Sequence, residues 1–226
     1  HIYKEKLLQM IKIGVPAGIQ SATFSISNVL IQSTINSFGS IAMAGSTAGG
    51  NIEGFVWTAM DAFTQSTLSF TGQNYGAKKF HRITKVVWYN LGLVTVVGLV
   101  LGIGAYLVGP WVLQVYSSDP EVIAYGLERM LLVCTPYALC GVMNVLVGAM
   151  RGLGSSLTPM VVSIFGVCVL RVVWIYTVFP LDPSFAMLFL SYPVTWAVTA
   201  AIEVVCFFVI RKKAIARAGG MAADAD

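Results

Sequence analysis

The sequence predicts an all-α integral membrane protein, a bundle of six transmembrane helices, and three observations predict it. Of its 226 residues, 57% are hydrophobic and only 11% charged, with a mean hydropathy of +0.78, whereas soluble domains carry roughly 25% charged residues. The apolar residues gather in runs of about 20 to 28, the length that crosses a hydrocarbon core of roughly 30 Å at about 1.5 Å per helical residue. Lys and Arg fall in alternate connections between those runs. Strict apolar/polar alternation, the mark of an outer-membrane barrel, is missing, and a helix satisfies its own backbone in lipid.

Taken in order, the apolar runs and their Gly, Pro and charged boundaries place spans near 12–36, 46–73, 85–108, 123–149, 157–180 and 185–210. Residues 1–11 form a short segment ahead of the first span, 12–210 the six-helix lobe, and 211–226 a basic tail. The end of that tail, Gly219 to Asp226, is small and polar and is expected to be disordered. The chain opens on His1 with no signal peptide of the usual layout, and is expected to be truncated at its start.

Charge orients the bundle. Lys4, Lys6 and Lys12 precede span one; Lys78, Lys79, Arg82 and Lys85 lie between spans two and three; Arg151 follows span four; Arg211, Lys212, Lys213 and Arg217 follow span six. These are 12 of the 14 Lys and Arg, all on one side. The opposite connections, near 37–45, 109–122 and 180–184, hold only Asp119, Glu121 and Asp182 as charges. By the positive-inside rule the basic side, with both chain ends, is cytoplasmic. An odd number of spans would break the alternation, so it independently supports six. The net charge of +4 is therefore a topology signal. No basic stripe with interleaved aromatics suggests nucleic acid as a partner; the implied partner is the lipid bilayer of the cell membrane.

Several residues are costly in lipid and demand a reason. In span one, Ser21, Ser25, Asn28, Gln32 and Asn36 recur at helical spacing and form one polar stripe, with Gln20 beside it. The stripe is either interhelical hydrogen-bonding glue or the wall of a wet cavity. In span two, Glu53, Trp57, Asp61 and Gln65 follow one another at i, i+4 on a drifting face. Asp61 is expected near mid-membrane, where an ionised carboxylate costs roughly 2.5–3.5 kcal/mol on insertion scales. It is either satisfied structurally or binds a proton, a cation or a cationic solute; Glu53, nearer the interface, suits a structural role.

Glu128 and Arg129 in span four and Arg171 in span five are also intramembrane. Glu128 and Arg171 sit at similar depth, roughly 10 and 14 Å from the outer boundary at 1.5 Å per residue, and are expected to form a structural ion pair. Glu203 in span six either finds a basic partner or reaches the inner interface. Pro16, Pro136 and Pro193 stand inside spans one, four and six and mark candidate kinks or hinges.

Other chemistry is thinly represented. Cys134, Cys140, Cys168 and Cys206 lie within apolar runs without metal or disulfide spacing and read as small buried apolar residues. His1 and His81 are outside the spans, so no metal site is expected. No Walker motif is present, and no His, Asp or Ser cluster gathers at a membrane face, so neither ATP hydrolysis nor another enzymatic activity is expected.

Three boundary motifs carry a resemblance. IKIGVPAGIQS opening span one, FTGQNYGAKK from Phe70 to Lys79, and VGAMRGLGSSLTPM from Val147 to Met160 resemble the C-terminal half of a multidrug and toxic compound extrusion (MATE) transporter, over residues 6–212. Resemblance implies one six-helix lobe of a twelve-helix, pseudo-symmetric transporter, with an N-terminal lobe as its partner. It further implies export of organic cations and amphiphilic solutes, with Na⁺ or H⁺ as coupling ion and no other cofactor. No second copy of the pattern occurs within the chain.

On that reading Ser21, Ser25, Asn28, Gln32, Trp57, Asp61 and Gln65 border the central cleft, and Asp61 and Glu53 are candidates for ion coupling. Some family members carry a Glu in the first helix of this lobe and an Asp in the fourth. Aligned on Gly14 and on Arg151-Gly152, those positions are Phe24 and Cys140 here. Coupling through that pair is therefore not expected, and the other lobe is preferred. A flippase for a lipid-linked substrate and a non-transporting membrane scaffold are the alternatives; the mostly neutral or acidic cleft suits cations better than lipid phosphates.

Overall fold

The structure, a computed structural model, describes residues 3–223. Helix α1 (Lys4–Asn36) turns at Gly39, whose φ of 93° is the left-handed backbone that glycine tolerates, into α2 (Ser40–Gly76). A tight turn through Lys78 leads to α3 (Phe80–Leu113). Asp119 then caps α4 (Pro120–Val133) by accepting the Glu121 N–H, with Pro120 at the first helical position. Next come α5 (Tyr137–Gly152), α6 (Leu157–Ser163), a π-helical turn over Ile164–Val169, α7 (Leu170–Thr177), a 3₁₀ turn at Phe179–Leu181, and α8 (Phe185–Ala223). Among the described residues there is no strand.

These elements make six rods, each covering one expected span. Span four is α4 and α5 together, bent by 47° around the break at Cys134–Pro136. Span five runs as Leu157–Leu181 through the π turn. Pro16 and Pro193 lie inside unbroken helices. The first span starts earlier than expected, at Lys4, so most of the short leading segment is helical. The basic tail is likewise helical to Ala223, against the expected disorder from Gly219 onward; residues 224–226 lie outside the described residues.

By length and composition, Phe80–Leu113, Leu157–Leu181 and Phe185–Arg217 are apolar enough to cross a membrane, and the bent α4–α5 pair makes a fourth. Helices α1 and α2, with 33 and 37 residues, are long enough but more polar, because they carry many Ser, Thr, Asn and Gln. Exposed Trp88, Leu93, Val96, Val100, Leu107 and Trp111 along α3 form a continuous apolar face suited to lipid, with Trp at both ends.

The rods pack through small residues, as bundles in lipid do when backbones must approach closely. A Cβ at Gly148 of α5 would lie 2.7 Å from the Thr64 carbonyl oxygen of α2, and one at Gly98 of α3 would lie 2.9 Å from the Ala138 Cα. Around these contacts Met60, Val94, Tyr137, Met143, Leu188, Phe189 and Trp196 form the main core. All four cysteines are free thiols; Cys134, Cys140 and Cys168 are buried. Helix α1 stands more loosely, tied by Ser156 Oγ donating to the Ile13 carbonyl at 3.0 Å and by Arg151 Nη2 donating to Gln20 Oε1 at 2.8 Å.

Candidate functional site

Helix α1 packs mainly on α6, the π turn and α2, and a cavity of about 520 Å³ opens between α1, α2, α5, the π turn, α7 and α8. Its α1 wall is the polar stripe: Ser21, Ser25, Asn28 and Gln32 all line it, and all four are exposed. Ser25 Oγ donates to the Ser21 carbonyl at 3.1 Å, and Gln32 Nε2 donates to Asn36 Oδ1 at 3.2 Å. The stripe's hydrogen bonds therefore stay within its own helix, and its remaining capacity faces the open space. Trp57, Tyr192 and Trp196 add aromatic surface, with Tyr137 and Trp196 edge-to-face at 5.2 Å between ring centroids.

The floor is charged. Glu53, Arg129 and Arg171 all line the cavity. Arg129 Nη2 donates to Glu53 Oε2 at 2.7 Å, and Tyr137 Oη donates to Glu53 Oε1 at 3.3 Å. Arg129 Nη1 also reaches the Ser46 carbonyl at 3.0 Å and Ser46 Oγ at 2.8 Å. The guanidinium lies against Gly50, where an added Cβ would come within 3.1 Å of it, and 5.1 Å from the Phe189 ring centroid.

This arrangement corrects the expected pairing. Arg171 does not meet Glu128; its guanidinium instead lies 3.8 Å over the Tyr192 ring. Among the described residues, Glu53–Arg129 is the one ion pair. Depth alone had matched Glu128 with Arg171, but adjacent residues on a helix point about 100° apart. That rotation turns Arg129 toward α2 and leaves Glu128 half-buried without a salt bridge.

On α2 the cavity takes only part of the expected face. Trp57 lines the cavity, whereas Asp61 and Gln65 do not. Gln65 Nε2 donates to Asp61 Oδ1 at 3.4 Å, a contact within the helix. Each i, i+4 step overshoots a full turn by about 40°, so a face that begins at Glu53 has rotated by roughly 120° at Gln65.

Sequence reasoning missed Ser27, Tyr137, Asn144, Tyr192 and Trp196 as cavity walls. No polar periodicity marked them, because most belong to helices buried on several sides. The undecided Glu203 is fully buried and accepts a hydrogen bond from Ser163 Oγ at 2.9 Å, at the last turn before the π segment. Phe24 and Cys140, where some MATE members keep acids, both face the cavity. Among the described residues no group of three or more His, Cys, Asp or Glu could hold a metal.

The pattern of the MatE family matches residues 16–177, most of the chain. The chain belongs to the MatE family. It is similar to the probable multidrug resistance protein YoeA of Bacillus subtilis (strain 168), 27% identical over 164 residues, covering 73% of this chain and 35% of that protein. It is similar also to a probable multidrug resistance protein NorM of Aromatoleum aromaticum, 29% identical over 162 residues, covering 70% of this chain and 34% of the relative. The chain thus spans about a third of the length of the curated relatives it matches.

Solved structures match over a larger share of their own length, about half. The Vibrio cholerae MATE transporter VcmN in its bent form superposes with a TM-score of 0.85 at 18% identity, covering 94% of this chain and 48% of VcmN. The MATE transporter ClbM, described in complex with Rb⁺, gives a TM-score of 0.84 at 17% identity, covering 94% and 50%. This MatE chain therefore has the fold of one lobe, about half, of a twelve-helix transporter of this kind, and is a multi-pass membrane protein.

Proposed function

We propose that this chain is the C-terminal lobe of a secondary efflux transporter that exports organic cations and other amphiphilic drugs across the cytoplasmic membrane. Transport is by antiport against Na⁺ or H⁺, with alternating access, and an N-terminal six-helix lobe completes the cleft. Both ends of the chain lie in the cytoplasm. The observation that carries this reading is the cavity behind α1, whose amides and hydroxyls spend their local hydrogen bonds on their own helix and leave an open, aromatic-edged wall. Ser, Asn and Gln supply adaptable polar contacts, and Trp57, Tyr192 and Trp196 supply ring faces for cations and flat amphiphiles. No bond is made or broken; the chain is a carrier, and the ion gradient biases two conformations through their differing affinities.

Two irregularities supply places for the lobe to bend: the 47° break at Pro136 and the π turn over Ile164–Val169. Phe24 and Cys140 cannot bind a coupling ion as carboxylates would, so coupling is assigned to acidic groups of the other lobe, with Asp61 as the candidate within this one. Glu53 is committed to Arg129. The relative described with Rb⁺ supports a monovalent cation as a ligand of this fold.

The test is ethidium efflux from cells expressing the whole transporter, with the Na⁺ and H⁺ gradients collapsed separately. Efflux that stops with one gradient, and a fall of at least fivefold in the Asn28→Leu, Gln32→Leu double variant at equal expression, is the expected result. Efflux insensitive to both gradients would overturn antiport. Asp61→Asn should lower efflux while leaving ethidium binding to the purified protein unchanged; unaltered efflux would remove Asp61 from the coupling path.

A further inference from the structure

One cation of the cavity is neutralised by none of the described residues. Arg171 stands at the start of α7, directly after the π turn, is only 5% exposed, and lines the cavity. Its guanidinium is held flat over Tyr192 at 3.8 Å, and its Nε is buried without a partner. Among the described residues it makes no ion pair. Of the three charged groups on the cavity wall, Glu53 and Arg129 satisfy each other at 2.7 Å, so the wall retains one positive charge.

A second donor lies nearby. Ser27 is 4% exposed and lines the same cavity, and the Cys168 thiol, a weak acceptor, is the one partner beside its Oγ among the described residues. It sits off the Ser21, Ser25, Asn28, Gln32 stripe, turned toward the interior. A buried guanidinium without an acceptor is costly in low dielectric, and a buried hydroxyl with only a thiol beside it gains from a stronger acceptor. Stacking on Tyr192 fixes the plane of the guanidinium, and the planar fork of Arg matches the two oxygens of a carboxylate. Among the described lining residues the acid is Glu53, which Arg129 and Tyr137 engage; Phe24 and Cys140 are neutral, and Asp61 lies off the cavity.

We propose that Arg171 and Ser27 form an anion-recognition site for the carboxylate of an aromatic, amphiphilic solute, whose ring is received by Tyr192 and Trp196. The site deepens the transport reading, on which it rests, by adding zwitterionic and acidic aromatic amphiphiles to the solutes that the cavity receives. Tyr192 serves as the platform that holds the guanidinium in plane. Trp57 and Trp196 report on occupancy, because both border the cavity.

The experiment uses the purified transporter containing this chain, in detergent, with 2-naphthoate and the isosteric neutral 2-naphthamide as probes of tryptophan fluorescence. Wild type should bind naphthoate at least tenfold more tightly than naphthamide. Arg171→Gln should abolish that preference, Arg171→Lys should keep part of it, and Ser27→Ala should weaken naphthoate binding several-fold. Equal affinities in wild type, or a preference that persists in Arg171→Gln, would overturn the site. If Arg171→Gln does not give a cooperatively melting protein, the wild-type comparison and Ser27→Ala still decide. An inactive efflux assay beside an intact naphthoate preference would refute transport and leave the anion site standing.

Discussion

Arg129 of α4 donates to Glu53 of α2 at 2.7 Å, joining residues 76 positions apart in the lining of a cavity. The side chains are only 14% and 15% exposed, and Ser46 and Tyr137 add further hydrogen bonds to them. Removing one partner of such a pair leaves a buried charge and costs about 3 kcal/mol or more, whereas replacing both with apolar residues is often near neutral. Glu53→Gln and Arg129→Gln should each lower the melting temperature in detergent by several degrees. The double Glu53→Met, Arg129→Met protein should recover most of the loss. Single variants that melt like wild type would show the pair to be unimportant for stability.

Close packing of α2 on α5 should respond to a single methyl. At Gly148 a new Cβ would meet the Thr64 carbonyl oxygen at 2.7 Å, and backbone cannot step aside cheaply. Gly148→Ala should therefore destabilise by roughly 1–3 kcal/mol. Gly14→Ala meets nothing within 4 Å and should be neutral or slightly stabilising, since it lies inside α1. Urea or thermal melts of the two variants side by side check the contrast.

The left-handed turn after α5 offers a second stability test. Gly154 has a φ of 81° and open space around its Cα. An alanine there is strained by backbone conformation alone, at a cost of about 1–2 kcal/mol. Gly154→Asn should cost less than Gly154→Ala, because Asn tolerates the left-handed region. Equal losses would point to a packing cause instead.

Orientation can be read by labelling. In a background without the four native cysteines, Ala77→Cys, in the exposed turn between α2 and α3, should react with a membrane-impermeant maleimide only after cells are opened. Ser118→Cys, exposed between α3 and α4, should react in intact cells. The reverse pattern would invert the bundle and contradict the charge census.

How much of this was legible in the sequence differs between the fold and the cavity. Six rods and their order followed from apolar runs that must match the bilayer, and the polar stripe of α1 followed from helical periodicity; the rods run on past the apolar runs at several ends. Both are properties of one helix at a time. The break at Pro136 was visible as a residue that cannot continue a helical ladder, while the π turn of Ile164–Val169 had no residue-level signal and arises where Gly166 packs against Thr199 of α8.

Partner choice was decided only by the tertiary structure. Depth along a span is legible from the chain, but the rotation of each helix about its axis is set by packing against several neighbours at once. That rotation gave Glu53 to Arg129 and turned Asp61 and Gln65 off the cavity that Trp57 lines. It also left Arg171 over Tyr192 with no acid beside it. The sequence by itself determined a six-helix lobe with a wet face, because burial in lipid constrains each segment separately. Which charges meet across that face depends on angles that no single segment encodes.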